Sequence, residues 1–338
     1  MAVFILRRVA LGFVALLGVL VVTYVLVHLA PINPARQYAG AHATAEQLAA
    51  ARETLGLNKS VPVQIADYAK NFVSGNWGVS LQTKRSVLTD VRTTLPYTIE
   101  LVVLSMSVSF VIGIPLGVLS AKRKGHTADH ISRVVSVALI AIPTFWLALG
   151  LQYVFSGTLH LLPLSGAYSY EVVLDNPIIP ITGFPLVDAL LAGNFTAFWN
   201  HVVHLVLPVL ALTGLSLGSI QRLTRASMLE VLDEDYILAS RSYGLPERTV
   251  LWGHGLKNAL GPLATVSALT IAWLLVNTFL VESIFAWPGM GNYMVSAINT
   301  LDYPVILAVT LVSAISYLML NLLADVIIAL DPRVRLRT

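Results

Sequence analysis

The chain contains no cysteine among its 338 residues, which excludes a disulfide framework, a thiolate metal site and a cysteine nucleophile together and leaves the redox compartment open. Charge is also scarce. Only 12% of the residues are Asp, Glu, Lys or Arg, against about 25% in an average soluble domain, so a soluble enzyme fits poorly. The net charge of +3 supplies no electrostatic footprint for nucleic acid. No Gly-x-x-x-x-Gly-Lys-Ser/Thr loop occurs, so the chain has no phosphate cradle with which to hydrolyse ATP. Alternating segments of about ten residues do not recur, which argues against a membrane β-barrel.

What is abundant is apolar sequence, 56% of the chain, and it falls in runs near the roughly 20 residues that cross a bilayer as helix. Six such runs stand out, at 9–30, 96–120, 133–155, 202–221, 263–284 and 304–328. The first follows Arg7 and Arg8 but is too long for a secretory leader and lacks a small-residue cleavage pattern before Pro31, so it reads as a retained anchor. The fold class expected is an all-α membrane protein with six transmembrane helices.

Orientation follows from the placement of Lys and Arg. Arg7 and Arg8, then Lys122, Arg123, Lys124 and Arg133, then Arg222, Arg225, Arg241, Arg248 and Lys257, and finally Arg333, Arg335 and Arg337 make up 14 of the 21 bases. Segments 1–8, 121–132, 222–262 and 329–338 are therefore expected in the cytoplasm, with both termini inside. The segments 156–201 and 285–303 carry no Lys or Arg and are expected outside. Segment 31–95, with seven, is long enough to translocate regardless of charge.

Two spans contain small-xxx-small spacing, Gly113 to Gly117 and Gly214 to Gly218, which lets helix backbones approach closely. Pro115, Pro143 and Pro208 lie at or near membrane depth and read as kinks, with a gating hinge the sharper alternative. Outside, Thr44 is placed to cap a short helix ending before Gly56, a second short helix fits Val63 to Phe72, and Gly75-Asn76-Trp77-Gly78 reads as a turn whose Trp suits the membrane interface. Segment 156–201, rich in Pro, Gly and aromatics, is expected to cover the outer mouth.

The stretch 222–262 holds five acids and five bases between two apolar spans. Span four can continue as helix through Met228 and Leu232. Asp233 then suits an N-cap, with Glu234 and Asp235 in the following first turn where the helix dipole favours acid. Arg241, Gly244 and Pro246 are stop signals. This element is too short and too charged to cross a bilayer, so it must lie along the cytoplasmic face. Ala239, Ser240 and Gly244 would let it sit closely in a groove, flanked by Tyr236, Tyr243 and Leu245. An ordinary solvated loop is the alternative.

Other constellations are weaker. Gly214-Leu215-Ser216-Leu217-Gly218 matches the spacing of a nucleophile elbow but lies inside an apolar span, with no strand-to-helix turn. His201 and His204 share a helix face yet lack a third ligand nearby. Glu100, Glu282, Asn277, Asn321 and Asp325 are polar groups in or beside the spans; Glu282, Asn277 and Asn321 are the candidates for lining a path.

Several blocks, in order, carry a family resemblance. Arg225-Ala226-Ser227-Met228-Leu229-Glu230-Val231-Leu232-Asp233-Glu234-Asp235-Tyr236, then Ala239, Gly244-Leu245, His254, Asn258-Ala259 and Pro262, resembles the signature loop of permease subunits from ATP-binding-cassette importers, in the dipeptide/oligopeptide branch. Phe4 to Arg8, Leu95-Pro96 with Glu100-Leu101, Glu282 to Gly291, Asp302-Tyr303-Pro304, Asn321-Leu322 with Asp325, and Asp331-Pro332-Arg333 extend it along nearly the whole chain. The pattern departs at Pro31-Ile32-Asn33-Pro34, Asn76, Leu238 and Ser240.

The resemblance implies a type I importer permease fold with a large external segment after the first helix. It implies a coupling helix in which Glu234, Asp235, Tyr236, Ala239, Ser240, Gly244 and Leu245 meet an ATPase subunit. Implied partners are a second, homologous but different permease, two ATPase subunits that bind ATP and magnesium, an extracytoplasmic binding protein and membrane lipid. This chain would hold no cofactor. The implied cargo is a short peptide, with nickel complexes and haem also within the branch. An ATP-independent channel or secondary transporter is the rival from another class, and an intramembrane hydrolase using Ser216 is a third.

Overall fold

The computed structural model describes residues 2–29, 34–40 and 42–330. Among these the regular elements are helices, and the only extended pairing is one isolated antiparallel bridge between Val79 and Ser86. Helix α1 (Ala2–Leu29) is followed by three short ones, α2 (Pro34–Ala39), α3 (Ala45–Thr54) and α4 (Val61–Val73). Then come α5 (Val87–Lys122), α6 (Thr127–Ala141) and α7 (Thr144–Leu151), the last continued by a π-helical turn at Gln152–Thr158. The short α8 (Tyr170–Asp175) and α9 (Pro185–Leu191) precede α10 (Phe195–Leu232) and α11 (Asp235–Ser242). A second π-helical stretch, Thr249–Gly255, leads into α12 (Leu256–Ile284), α13 (Met290–Thr300) and α14 (Tyr303–Leu330).

Five of these helices, α1, α5, α10, α12 and α14, contain segments long and apolar enough to cross a membrane, and the α6–α7 pair makes a sixth only if its two bent halves count as one span. Pro31-Ile32-Asn33 and the basic tail with Asp331-Pro332-Arg333, Arg335 and Arg337 lie outside the described residues.

The third span differs most from expectation. Instead of one helix over 133–155 kinked at Pro143, α6 stops at Ala141 and α7 starts at Thr144 with a bend of 100° between them. Proline removes a backbone donor and crowds the residue before it out of the α region, and Ile142 is extended at φ −73°, ψ 123°. Pro115 and Pro208, by contrast, sit within unbroken α5 and α10. The second span also begins earlier than Pro96: Ser86 adopts extended cap geometry and α5 starts at Val87.

Helix α10 is the centre of the bundle, and the two glycine pairs explain how its neighbours approach. A Cβ on Gly117 of α5 would lie 2.6 Å from Thr224 Cβ, and one on Gly218 of α10 would lie 2.6 Å from the Ser136 carbonyl oxygen on α6. The pairs do not face each other. Gly113 and Gly117 admit α10 to α5, while Gly214 and Gly218 admit α6 and α7 to α10. Between α5, α10 and α12 lies the main core, including Leu101, Leu207, Leu212, Leu274 and Trp287. A second core joins the start of α5 to α13 and α14 through Val87, Val91, Met290 and Val305.

Outside the spans, Thr44 forms the expected cap as a reciprocal box with Gln47, and Gly56 at φ +66° follows α3. The next helix, α4, begins at Val61, slightly before the expected Val63. Trp77 packs on the end of α4. It is half-buried and stacked on Phe72, ring centroids 4.5 Å apart, and its Nε1 donates to the Phe72 carbonyl at 2.9 Å.

The segment after the π turn is stitched onto span ends. The Gly166 amide donates to the Phe285 carbonyl at 2.7 Å, and Gln152 Nε2 donates to the Leu164 carbonyl at 2.7 Å.

Candidate functional site

The 222–262 region is folded, as its composition suggests. Helix α10 runs on through Leu232, and Asp233 closes it as the C-cap rather than opening the next helix. The expected N-cap therefore shifts by one: Glu234 takes the extended conformation before α11, without a side-chain cap bond. With eight residues, α11 is about 12 Å long at 1.5 Å per residue. Gly244 sits at φ +74° with open space around its α-carbon, so it serves the left-handed turn after the helix.

An isolated helix this short is unstable in water, so its anchors matter. Ile237 is fully buried. Tyr236 Oη accepts a hydrogen bond from Asn258 Nδ2 on α12 at 2.8 Å. The other side points away from the protein: Ala239 and Gly244 are exposed, Ser240 is half-buried, and Leu238 and Tyr243 are 65% and 87% exposed. Glu234 and Asp235 are exposed beside them, as are Tyr236 and Leu245. Of the seven residues expected at a docking face, Asp235, Tyr236, Ala239 and Ser240 lie in α11, Glu234 precedes it, and Gly244 and Leu245 follow it. The sequence reading passed over its anchor, Ile237, which is visible only as an apolar residue inside a charged stretch.

A second group ties the end of α10 to α6 and to the end of α5. Arg225 Nε and Nη2 donate to the two oxygens of Asp129 at 2.6 and 2.8 Å. Ser120 Oγ and the Gly125 amide donate to the same carboxylate at 2.6 and 3.0 Å. Bidentate Arg–carboxylate pairing fixes both distance and orientation.

At the opposite end, Glu100 and His201 form a buried pair, Oε2 to Nε2 2.8 Å. His201 Nδ1 lies 2.8 Å from the Ala167 carbonyl, which can only accept, so Nδ1 is the donor of that bond. The Leu186 amide donates to Glu100 Oε1 at 3.0 Å, and the Tyr168 ring stacks on His201 at 4.6 Å. Both His201 nitrogens are thereby occupied. His204 Nδ1 faces the Asn200 carbonyl at 2.8 Å, and the residue lines a surface groove with Phe195 and Trp199.

Glu282, one of the residues expected on a path, is fully enclosed within this chain. Its carboxylate accepts from Thr98 Oγ1 at 2.6 Å, the Gly291 amide at 2.6 Å and the Asn292 amide at 3.2 Å. A carboxylate there meets the free amides and positive dipole end of α13. The run Glu282-Ser283-Ile284-Phe285-Ala286-Trp287-Pro288-Gly289-Met290-Gly291 is thus a corner built around its own first residue. A Cβ on Gly289 would fall on that carboxylate.

Asn277 is half-buried and donates to the Trp273 carbonyl one turn back at 2.9 Å. Asn321 lines a groove of about 490 Å³ with Asp325 and Arg8, where Arg8 Nη2 and Asp325 Oδ1 are 3.1 Å apart. Ser216, in mid-α10, shares a hydrogen bond with Ser109 at 2.6 Å and occupies no strained turn.

Comparison with known proteins agrees with the architecture. Residues 113–336 match the family model for the binding-protein-dependent transport system inner membrane component, and residues 1–102 match that for the N-terminal part of such membrane components. A probable D,D-dipeptide transport system permease of Escherichia coli K12 is 40% identical over 98% of this chain and 97% of its own length. A dipeptide transport system permease of Alkalihalophilus pseudofirmus is 37% identical over 99% and 100%, and an oligopeptide transport system permease of Bacillus subtilis 168 is 33% identical over 99% of each. With matches of this extent, the chain belongs to the family of inner-membrane permease subunits of binding-protein-dependent, ATP-binding-cassette importers, which carry no ATPase site of their own.

Proposed function

We propose that the chain forms half of a peptide-conducting pore and that α11 is its coupling helix, the element through which ATPase subunits drive it. The observation that carries this reading is the two-sidedness of α11: Ile237 and the Tyr236–Asn258 bond hold one side, while Ala239, Leu238, Tyr243 and Gly244 present an apolar, small-residue face to whatever lies beyond. Exposed apolar surface of that kind marks an interaction site.

In this reading both termini and α11 face the cytoplasm, in keeping with the distribution of Lys and Arg. Two ATPase subunits bind ATP and magnesium and grip one α11 each. A second, homologous permease supplies the other half of the pore, an external binding protein delivers a short peptide, and closure of the ATPases switches the cavity between inward and outward access. The relatives' names support the peptide cargo.

The test is reconstitution in liposomes with the second permease, the ATPase subunits and the binding protein. Peptide uptake that requires ATP and every subunit is expected. Uptake by this chain without the ATPases would overturn the reading in favour of a channel or secondary transporter.

A further inference from the structure

We propose that Asp129 and Arg225 are positioning residues for transport: they hold α6 on the end of α10, so that movement received at α11 carries both helices as one body as far as the break at Pro143. This rests on the coupling role of α11. Only Asp233 and Glu234 separate α11 from α10, which makes α10 the continuous element leading from the docking face into the bundle.

Along α10 the residues Gly218, Gln221 and Arg225 recur at helical spacing, and each engages α6 in antiparallel order. Arg225 makes its paired bonds to Asp129. Gln221 Nε2 donates to Ser132 Oγ at 2.7 Å, and its Oε1 accepts from Ser136. Gly218 lies against the Ser136 carbonyl, where a Cβ would come within 2.6 Å. Sliding by one turn would strand Asp129, which is 1% exposed, without its guanidinium, and a buried charge without a partner is strongly disfavoured. The seam therefore resists shear. Bonds from Ser120 and Gly125 bring the end of α5 into the same body.

The Ile142–Pro143 junction is built the opposite way. Pro143 has no amide to donate, Ile142 is extended, and the axis turns by 100°. The angle between α6 and α7 can change there without breaking a ladder bond, whereas α6 cannot slide on α10 without losing its paired bonds.

The absence of cysteine allows a direct test in the assembled transporter. Ser132→Cys and Gln221→Cys are introduced together and joined by a short, cleavable bifunctional thiol reagent. ATP-driven uptake within about twofold of the unbridged protein is expected, since the two helices move together; a fall beyond about tenfold, reversed by cleaving the bridge, overturns the proposal.

Asp129→Asn should leave the ATPase subunits bound and their basal hydrolysis intact while uptake falls by about tenfold or more, with partial rescue by Asp129→Glu. Unchanged uptake overturns the proposal. Where Asp129→Asn fails to assemble, the bridged pair decides. A wild-type transporter whose ATP-driven uptake survives disruption of α11 would instead overturn the coupling reading, and this proposal with it.

Discussion

The Gly291 amide donates to Glu282 Oε2 at 2.6 Å, and the same glycine leaves no room for a side chain, because a Cβ would sit 2.5 Å from Phe279 Cα. Glu282, the corner at Pro288 and the start of α13 form one unit. Gly291→Ala is expected to cost about 1–3 kcal/mol through overpacking, seen as a lower midpoint of thermal unfolding in detergent. An unchanged midpoint would mean that the corner tolerates a Cβ after all.

Ala239→Arg places a charge on the outward side of α11, where Ala239 is exposed and no internal packing is lost. Membrane insertion and unfolding midpoint should stay as in the wild type. Under the proposed coupling role of α11, co-purification with the ATPase subunits and peptide uptake should both drop, by at least about tenfold. Gly244→Trp should act similarly but with added backbone strain at φ +74°, which makes Ala239→Arg the cleaner variant.

Removing one member of the Glu100–His201 pair leaves the other buried without its partner, and both are nearly or fully enclosed. Glu100→Ala also strands the Leu186 amide. The expected cost is about 3–5 kcal/mol, and adding His201→Leu should recover part of it. A double variant no more stable than Glu100→Ala alone would argue against pairing as the source.

Asp188, in α9, gives a pH signature. Burial raises its affinity for a proton, but the Thr182 hydroxyl, the Thr182 amide and the Gly183 amide, at 2.6, 2.7 and 3.0 Å, outweigh burial and hold the carboxyl below its ordinary value. A depressed folded pKa adds stability above the unfolded carboxyl's pKa of about 4, and that contribution is lost as pH falls through the folded value. Asp188→Asn should therefore lower the unfolding midpoint at neutral pH, with the gap to wild type narrowing below about pH 4. A gap that does not depend on pH would place the effect in packing.

Much of the architecture was legible in the chain. The apolar runs marked the spans, and Thr44, Arg241 and Gly244 marked helix ends, because capping and stop signals act within a few residues. Asp233 misled by one position: it is the better capping residue of the two adjacent acids, but α10 runs on to it and takes it as a C-cap. Pro143 was visible as an irregularity, but whether it bends a helix or breaks it depends on what packs against α7, and that is not a local property. Glu282 was singled out because a carboxylate in an apolar span signals a special environment, but the amides that satisfy it belong to the next helix and could not be read locally.

The sequence by itself determined that this is an all-helical membrane chain with a short, charged element between its fourth and fifth apolar runs, because hydropathy and capping are read along the backbone. Tertiary structure alone decided which polar groups meet. Glu100 and His201 are 101 positions apart, and Asp129 and Arg225 are 96. No periodicity links residues at such separations; they find each other only because close packing around α10 brings the helices into contact and low local dielectric then makes an unpaired charge untenable.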